Sequence, residues 1–141
     1  MILFNSQNDF VLKNKMKYKK WIQNIVLSEN KQVGDINYIF CNNDDEYKIN
    51  IQYLQHDTLT DVITFDYSEG SIISGDIFIS TEIVAENAED FKVSFMEEMV
   101  RVMSHGIFHL CGYNDKKEDE IPIMRKKESE AIVKAKELGL L

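Results

Sequence analysis

The sequence predicts an α+β fold in which one small mixed β-sheet is covered by helices, and three observations support this prediction. Four short runs rich in β-branched and aromatic residues have the composition of strands. The segments between and after them repeat apolar residues at helical spacing. The resulting order, β-α-β-α-β-β-α-α-α, combines a few strands with a helical second half, as in a small sheet with helices packed on it. The 141 residues are expected to form a single domain over 1–141.

Each predicted strand is bounded by polar, turn-forming residues. The strands are Ile2–Asn5, Ile36–Cys41, Val62–Tyr67 and Ile72–Ser80. Residues 68–71 turn the chain between the last two strands, which suits their polar and glycine content. The final strand carries Gly75 and Asp76 in its middle.

Five segments are predicted to be helical from the spacing of their apolar residues. They are Phe10–Ser28, Glu46–Gln55, Glu82–Phe91, Ser94–Cys111 and Glu118–Leu138. Gly112 is a natural stop for the fourth helix, because glycine readily adopts the left-handed conformation that closes helices. Pro122 falls in the first turns of the last helix, where its missing N–H is best tolerated.

The charge balance argues against a non-specific nucleic-acid binder, since 24 acidic residues outweigh 16 basic ones and give a net charge of −8. The basic residues are nevertheless concentrated in two segments. These are Lys13, Lys15, Lys17, Lys19 and Lys20, and then Lys116, Lys117, Arg125, Lys126 and Lys127. Solvated helix surface is the simpler interpretation of both groups, and local patches that steer RNA are the alternative.

The remaining composition predicts a cytoplasmic protein that does not engage a membrane. The apolar stretch Met1–Phe4 is too short for a secretion signal, and polar residues follow it at once. No apolar run approaches the roughly 20 residues that a membrane-spanning helix needs. Cys41 and Cys111 lie far apart and form no CxxC motif, so reduced thiols are expected.

One segment carries unusual chemistry: His105 and His109 stand four positions apart in the fourth predicted helix. That spacing puts both imidazoles on one helix face, where they can chelate one divalent ion. Gly106 disfavours the helix by roughly 1 kcal/mol relative to alanine, which suits a point where a substrate or another backbone approaches closely. After the stop at Gly112, the chain can double back and bring Asp115 toward the histidines.

These three residues would form a three-ligand site with one open coordination position, which is the arrangement of catalytic zinc. Such a metal lowers the pKa of a bound water toward about 7 and so supplies hydroxide at neutral pH. A histidine pair at this spacing is also common as plain helix surface or core. The glycine, the helix stop and the nearby carboxylate favour the metal site.

The segment resembles the signature of the YbeY family of bacterial endoribonucleases, H-G-x-x-H-L-x-G-Y-D-H. Its matching positions are His105, Gly106, His109, Leu110, Gly112 and Tyr113. Residues 60–65 resemble the family's T-D-V-L-S-F strand, and residues 75–77 match its G-D-I strand. The resemblance implies a single-strand-specific, usually zinc-dependent endoribonuclease with one Zn²⁺ per chain held by His105, His109 and Asp115. It further implies a role in 16S rRNA 3′-end maturation and ribosome quality control in the bacterial cytoplasm. The ribosome or its small subunit is the expected partner, and DNA is not.

Two departures from the family pattern matter. The third histidine of the signature is replaced by Asp115 and its aspartate by Asn114. Aspartate ligates zinc at about 2.0–2.2 Å, although this harder ligand also admits manganese. Leu54 occupies the place where many members carry an arginine, the natural stabiliser of a pentacovalent phosphate. The candidate replacements for that arginine are His56, Lys116 and Lys117.

Several other residues have two interpretations. Asp76 either orients a histidine N–H or serves hydrogen bonds at a strand end. Asp61 is expected to be a turn or cap residue, and Cys111 a buried thiol. Neither Glu97 nor Glu98 is assigned a catalytic role, and one of them is expected to face solvent. Core packing is expected for Phe95, Met96, Met99, Val102, Met103 and Phe108.

Three functions follow, in descending order of support. The first is the metal-dependent endoribonuclease, with the general base unidentified. The second is a non-catalytic ribosome-assembly module whose metal is structural. The third is a metal-dependent hydrolase of a small substrate. A zinc-protease mechanism is disfavoured, because Gly106, Ile107 and Phe108 lie between the histidines and leave no helical glutamate base.

Overall fold

The computed structural model describes residues 1–44 and 61–141, and its strands form one mixed sheet. The strands are β1 (Ile2–Ser6), β2 (Gln32–Cys41), β3 (Val62–Asp66) and β4 (Ile72–Ser80). Their order across the sheet is β1-β2-β4-β3. Both β1 and β4 run parallel to β2, whereas β3 pairs antiparallel with β4. The predicted small mixed sheet is confirmed.

The helices of the described ranges account for the rest of the α+β architecture. They are α1 (Lys15–Ser28), α2 (Thr81–Phe91), α3 (Phe95–Leu110) and α4 (Glu120–Glu137). The predicted helix Glu46–Gln55 lies outside the described residues. None of the described helices combines the length and the apolar character needed to cross a bilayer.

Most element boundaries agree with the prediction to within two residues, and two do not. Helix α1 begins at Lys15 rather than Phe10, because Asn14 adopts a left-handed conformation with φ of 58°. Phe10 instead packs into the core from a loop, with its ring 4.9 Å from that of Phe40. The apolar side chain of Phe10 therefore indicates a residue that packs into the core, and it does not indicate a helix. Strand β2 begins at Gln32, four residues earlier than predicted.

Helix α3 lies at the centre of the fold and contacts α1, α2, α4, β3 and β4. Two buried side-chain hydrogen bonds tie the helices to their neighbours. The Tyr38 hydroxyl on β2 donates to the Met103 carbonyl on α3 at 2.8 Å. The Trp21 indole on α1 donates to the Ala131 carbonyl on α4 at 2.9 Å. These bonds satisfy polar groups that burial would otherwise penalise, so the helix positions are well specified.

Gly106 marks the closest approach of α3 to the sheet. A Cβ atom at this position would lie 2.9 Å from Cγ2 and 3.0 Å from Cδ1 of the fully buried Ile77 on β4. The expectation that a substrate or another backbone approaches Gly106 is therefore wrong. A β4 side chain occupies that space, and the glycine lets α3 settle onto the sheet.

Gly106→Ala is predicted to destabilise the protein despite the better helix propensity of alanine. The added methyl overpacks Ile77 at a cost of about 1–3 kcal/mol, which exceeds the roughly 1 kcal/mol gained from propensity. Denaturant unfolding should show a net loss of about 1 kcal/mol. The difference between Lys126→Gly and Lys126→Ala, at an exposed α4 position, measures the glycine-to-alanine propensity gain alone. An unfolding free energy at or above that of the wild type would contradict the prediction.

Candidate metal centre

The three residues predicted as metal ligands converge on one point. The Nε2 atoms of His105 and His109 lie 2.8 Å apart. Asp115 places Oδ2 at 3.1 Å from Nε2 of His105 and Oδ1 at 3.7 Å from Nε2 of His109. One donor atom from each of the three residues can be chosen so that all lie within 4.8 Å of one another. The predicted convergence is present in the structure.

A Schellman motif at the end of α3 brings Asp115 back to the histidines. The Gly112 N–H donates to the His109 carbonyl and the Tyr113 N–H to the Phe108 carbonyl, both at 3.0 Å. Gly112 has φ of 103°, which a glycine adopts without the strain a side chain would bring. The predicted helix stop is therefore confirmed, and it reverses the chain just before the carboxylate.

The hydrogen bonds of the two Nδ1 atoms assign both histidine tautomers. Nδ1 of His109 lies 2.9 Å from the Tyr113 carbonyl oxygen, which only accepts, so this nitrogen donates. Nδ1 of His105 donates to Oε2 of Glu128 at 2.6 Å. In neutral imidazoles so held, both Nε2 atoms carry lone pairs, and these lone pairs face each other. A metal cation or a shared proton between the two nitrogens makes this arrangement favourable.

The donor set fits a divalent cation. Ligands about 2.0 Å from a tetrahedral zinc ion are about 3.3 Å from one another. The observed separations of 2.8, 3.1 and 3.7 Å bracket that value. Two imidazoles and one carboxylate are also a ligand set that catalytic zinc uses, with a fourth position left open.

Glu128 on α4 supports the centre from behind, and the sequence analysis missed it. Its side chain is buried, and Oε1 pairs with Nη1 of Arg101 at 3.1 Å and of Arg125 at 3.5 Å. Its other oxygen holds His105. A sequence signal for this role exists: Glu128 interrupts the stripe of buried apolar residues formed by Met124, Ala131, Ile132 and Ala135. A carboxylate in such a stripe needs partners, because unpaired burial is costly.

The two imidazoles differ in basicity. Burial is the largest influence on both and lowers their pKa values. In His105 the hydrogen bond and the charge of Glu128, with the charge of Asp115, more than offset burial, so its pKa lies above the ordinary value. In His109 the charge of His105 adds to burial, and its pKa lies below the ordinary value. The pair therefore favours one shared positive charge over two.

The centre opens into a cleft of about 750 Å³, a size typical of ligand-binding pockets. Its walls come from β3, α2, α3, α4 and the loop that carries Asp115. Among the described residues, three cationic side chains line it: Arg101, Lys116 and Arg125. Of the candidate replacements for the family arginine, Lys116 therefore reaches the cleft, and Lys117 is not among its lining residues. Leu54 and His56 lie outside the described residues.

Glu98 also lines this cleft, on the same face of α3 as His105 and about two turns before it. It is buried, and within the described part of the chain its Oε1 accepts no hydrogen bond. Burial raises its pKa to about 7. Glu97 is only partly exposed and pairs with Lys136 at 3.6 Å. One of the two glutamates was expected to face solvent, and Glu97 does so only in part.

The other sequence candidates have structural roles. Asp76 accepts hydrogen bonds from Asn37 at 3.0 Å and Tyr67 at 3.3 Å. It cannot reach the histidines, because Ile77 faces α3 and adjacent strand residues point to opposite sides of the sheet. Asp61 accepts the Ser80 N–H through its carbonyl and also lines the cleft.

The Cys111 thiol was expected to be buried and is only partly so. Its pKa is nevertheless raised to about 11, chiefly by burial, so it stays protonated. The six residues predicted to pack in the core do so, four of them fully buried and Phe95 and Met96 partly.

Comparisons with known proteins agree with this geometry. The family model described as endoribonuclease YbeY matches residues 3–136. The chain belongs to the endoribonuclease YbeY family. It is 54% identical over 134 residues to the endoribonuclease YbeY of Flavobacterium johnsoniae, covering 94% of this chain and 95% of the relative. The Bacteroides thetaiotaomicron member is 47% identical over 118 residues, with coverage of 84% and 86%.

A solved structure supports the fold of this family member. The solution structure of TM1509 from Thermotoga maritima superposes with a TM-score of 0.67 at 28% identity. The match covers 95% of this chain and 88% of that one. The α+β fold predicted from the sequence is therefore shared with an experimental structure.

Glu98→Gln is predicted to stabilise the metal-free protein increasingly as the pH rises. Between pH 4.5 and 7 the folded state keeps a proton on Glu98 that the unfolded state has released, so wild-type stability falls across that window. The variant avoids this loss. Its advantage in unfolding free energy should grow by about 2–3 kcal/mol between pH 5 and pH 8.

Urea unfolding of both proteins at the two pH values, with a chelator present, measures this difference. The histidines titrate in both proteins, so their contribution cancels. A stability difference that does not change with pH would contradict the assignment of a raised pKa to Glu98.

Proposed function

We propose that this chain is a metal-dependent endoribonuclease in which His105, His109 and Asp115 bind one Zn²⁺ ion. The observation that carries the proposal is the convergence of two imidazole lone pairs and a carboxylate at the base of an open cleft. Membership of the endoribonuclease YbeY family supports the RNA-cleaving activity. Zinc is the preferred ion because of the two imidazole ligands, and Asp115 also makes manganese acceptable.

The open cleft favours catalysis over a purely structural metal. Structural zinc sites are closed by four protein ligands, whereas the described residues supply three and the remaining side faces the cleft. His105, His109 and Asp115 would hold a divalent cation there, which would supply Lewis acidity toward water and toward a phosphodiester oxygen. The 2′-hydroxyl of the RNA itself is the alternative nucleophile at the same site, in place of water.

The chain's own residues supply binding and orientation. Glu128 and the Tyr113 carbonyl fix the rings of His105 and His109. Arg125 has a side chain that is 55% exposed at the cleft, so it is free to meet a phosphate while remaining near Glu128. Arg101 is less available, because it is 22% exposed and already faces Glu98 and Glu128. Arg125 and Lys116 are thus the proposed phosphate-binding cations.

The proposed substrate is single-stranded RNA. A cleft of this size suits a few unpaired nucleotides, with one phosphate at the metal centre. The resemblance of the sequence motifs to this family also implies the 3′ end of 16S rRNA as the site of action, a role in ribosome quality control, and the ribosome or its small subunit as partner. Action in the bacterial cytoplasm belongs to the same proposal.

His109→Ala is predicted to lose both bound zinc and RNA cleavage. Removing one of three ligands should weaken zinc binding by more than about 100-fold, the upper range for losing a residue that merely supports a ligand. Zinc content is measured by mass spectrometry, and cleavage on a single-stranded RNA oligonucleotide. Lys126→Gln, purified in the same way, controls for contaminating ribonuclease.

The outcomes separate the candidate functions. Chelator-sensitive cleavage that is restored by zinc or manganese and lost in His109→Ala supports the nuclease. Zinc bound at one ion per chain without cleavage under any added ion would favour the ribosome-assembly module instead. Equal zinc content in wild type and variant would overturn the site.

Arg125→Gln is predicted to weaken RNA binding by removing one phosphate contact. The slope of log affinity against log salt concentration should fall in magnitude by about 0.7, the value for one contact to a single strand. Fluorescence anisotropy with a labelled oligonucleotide and chelator-treated protein measures binding without cleavage. Lys126→Gln is the matched control on the same helix, and an identical slope in both variants would exclude Arg125 from phosphate binding.

A further inference from the structure

Tyr113 connects His109 to a polar pair formed by Glu29, at the end of α1, and Lys127 on α4. Its carbonyl accepts the His109 Nδ1–H at 2.9 Å, and its ring packs edge-on against Phe108 at 5.9 Å between centroids. Its hydroxyl donates to Oε2 of Glu29 at 2.8 Å. The same residue thus touches a proposed metal ligand through its backbone and the end of α1 through its side chain.

The partners of Tyr113 also bind each other. Lys127 on α4 places Nζ at 2.8 Å from Oε1 of Glu29 and 5.4 Å from the centroid of the Tyr113 ring. The side chains of Lys127 and Glu29 are only 28% and 12% exposed. Such shielding makes their attraction stronger than that of a surface ion pair. The phenol is consequently held at its hydroxyl and over its ring face.

We propose that Glu29, Lys127 and Tyr113 form a positioning network that fixes the His109 imidazole for metal binding. This inference rests on the proposed metal site. The network acts through the Tyr113 backbone: once the phenol is anchored, the carbonyl stays where it accepts the Nδ1–H. That hydrogen bond in turn keeps the Nε2 lone pair of His109 directed at the metal position.

In this arrangement, residues of α4 orient both imidazoles. Glu128 holds His105 directly, and the adjacent Lys127 acts on His109 through Glu29 and Tyr113. The end of α1 thereby becomes part of the metal centre, although Glu29 lies far from the histidines in the sequence.

The test compares Tyr113→Phe with Tyr67→Phe. Both remove one hydroxyl, but Tyr67 is an exposed residue bonded to Asp76 on the sheet. Competition with a chromophoric chelator gives the Zn²⁺ dissociation constant of each protein. Tyr113→Phe should bind zinc about 3- to 10-fold more weakly, below the 10- to 100-fold cost of losing a direct partner of a ligand. Tyr67→Phe should match the wild type.

A second measurement distinguishes positioning from plain stabilisation. In the zinc-loaded proteins, the His109 Nδ1–H resonance should exchange with water faster in Tyr113→Phe, whereas that of His105 should not change. Glu29→Gln should weaken zinc binding similarly, and the double variant should lose less than the sum, as expected for one network.

A lower melting temperature in Tyr113→Phe with wild-type zinc affinity and exchange would overturn the proposal and leave only a structural contact. Failure of the proposed function is distinguishable from that result. If the wild type binds zinc but cleaves no RNA, the proposed nuclease function fails, while the zinc affinities and exchange rates still test the positioning network. A wild type that binds no divalent cation overturns both proposals.

Discussion

The close approach of His105 and His109, whose Nε2 atoms lie 2.8 Å apart, is the contact on which the rest of the centre depends. Neither ring can rotate without breaking a hydrogen bond, because each Nδ1–H is already donated, one to Glu128 and one to the Tyr113 carbonyl. The nearby carboxylate of Asp115 adds negative charge to the same point. The fold therefore holds a cation-binding geometry ready, which reduces the reorganisation needed when a cation arrives.

Packing outside the centre maintains this geometry. Gly106 lets α3 lie directly on Ile77, and the Schellman motif returns the chain toward the histidines. Glu128 is a buried carboxylate, and such a group is tolerated only with partners, which Arg101 and Arg125 provide. Metal affinity and folding stability are consequently linked, since a cation that binds only the folded chain stabilises it.

The sequence predicts the parts of the site that are local in the chain. The spacing of His105 and His109, the stop at Gly112 and the return of Asp115 all fall within one short segment, so helix geometry suffices. Glu128 and Glu29 lie on other helices, and only tertiary packing brings them near. The interruption of an apolar stripe by Glu128 was the one available signal.

Most of the fold is predictable because its strands and helices also follow from local sequence patterns. The errors of the prediction have physical causes. Strand composition and helical periodicity located the described elements, whereas Phe10 was misassigned because burial in a loop gives the same apolar signal as a helix. The alternation of β4 determines that Asp76 points away from α3, but the sequence does not say which face α3 covers. Contacts across the cleft, such as those of Arg125, depend on the packing of α4 and could not be read from spacing.

Anomalous X-ray scattering at the zinc edge, from crystals grown with zinc, tests the central claim most directly. The account predicts one strong peak about 2.0–2.2 Å from Nε2 of His105, Nε2 of His109 and a carboxylate oxygen of Asp115, with the fourth side of the ion facing the cleft. Zinc bound elsewhere on the chain, with no peak between the two imidazoles, would contradict it.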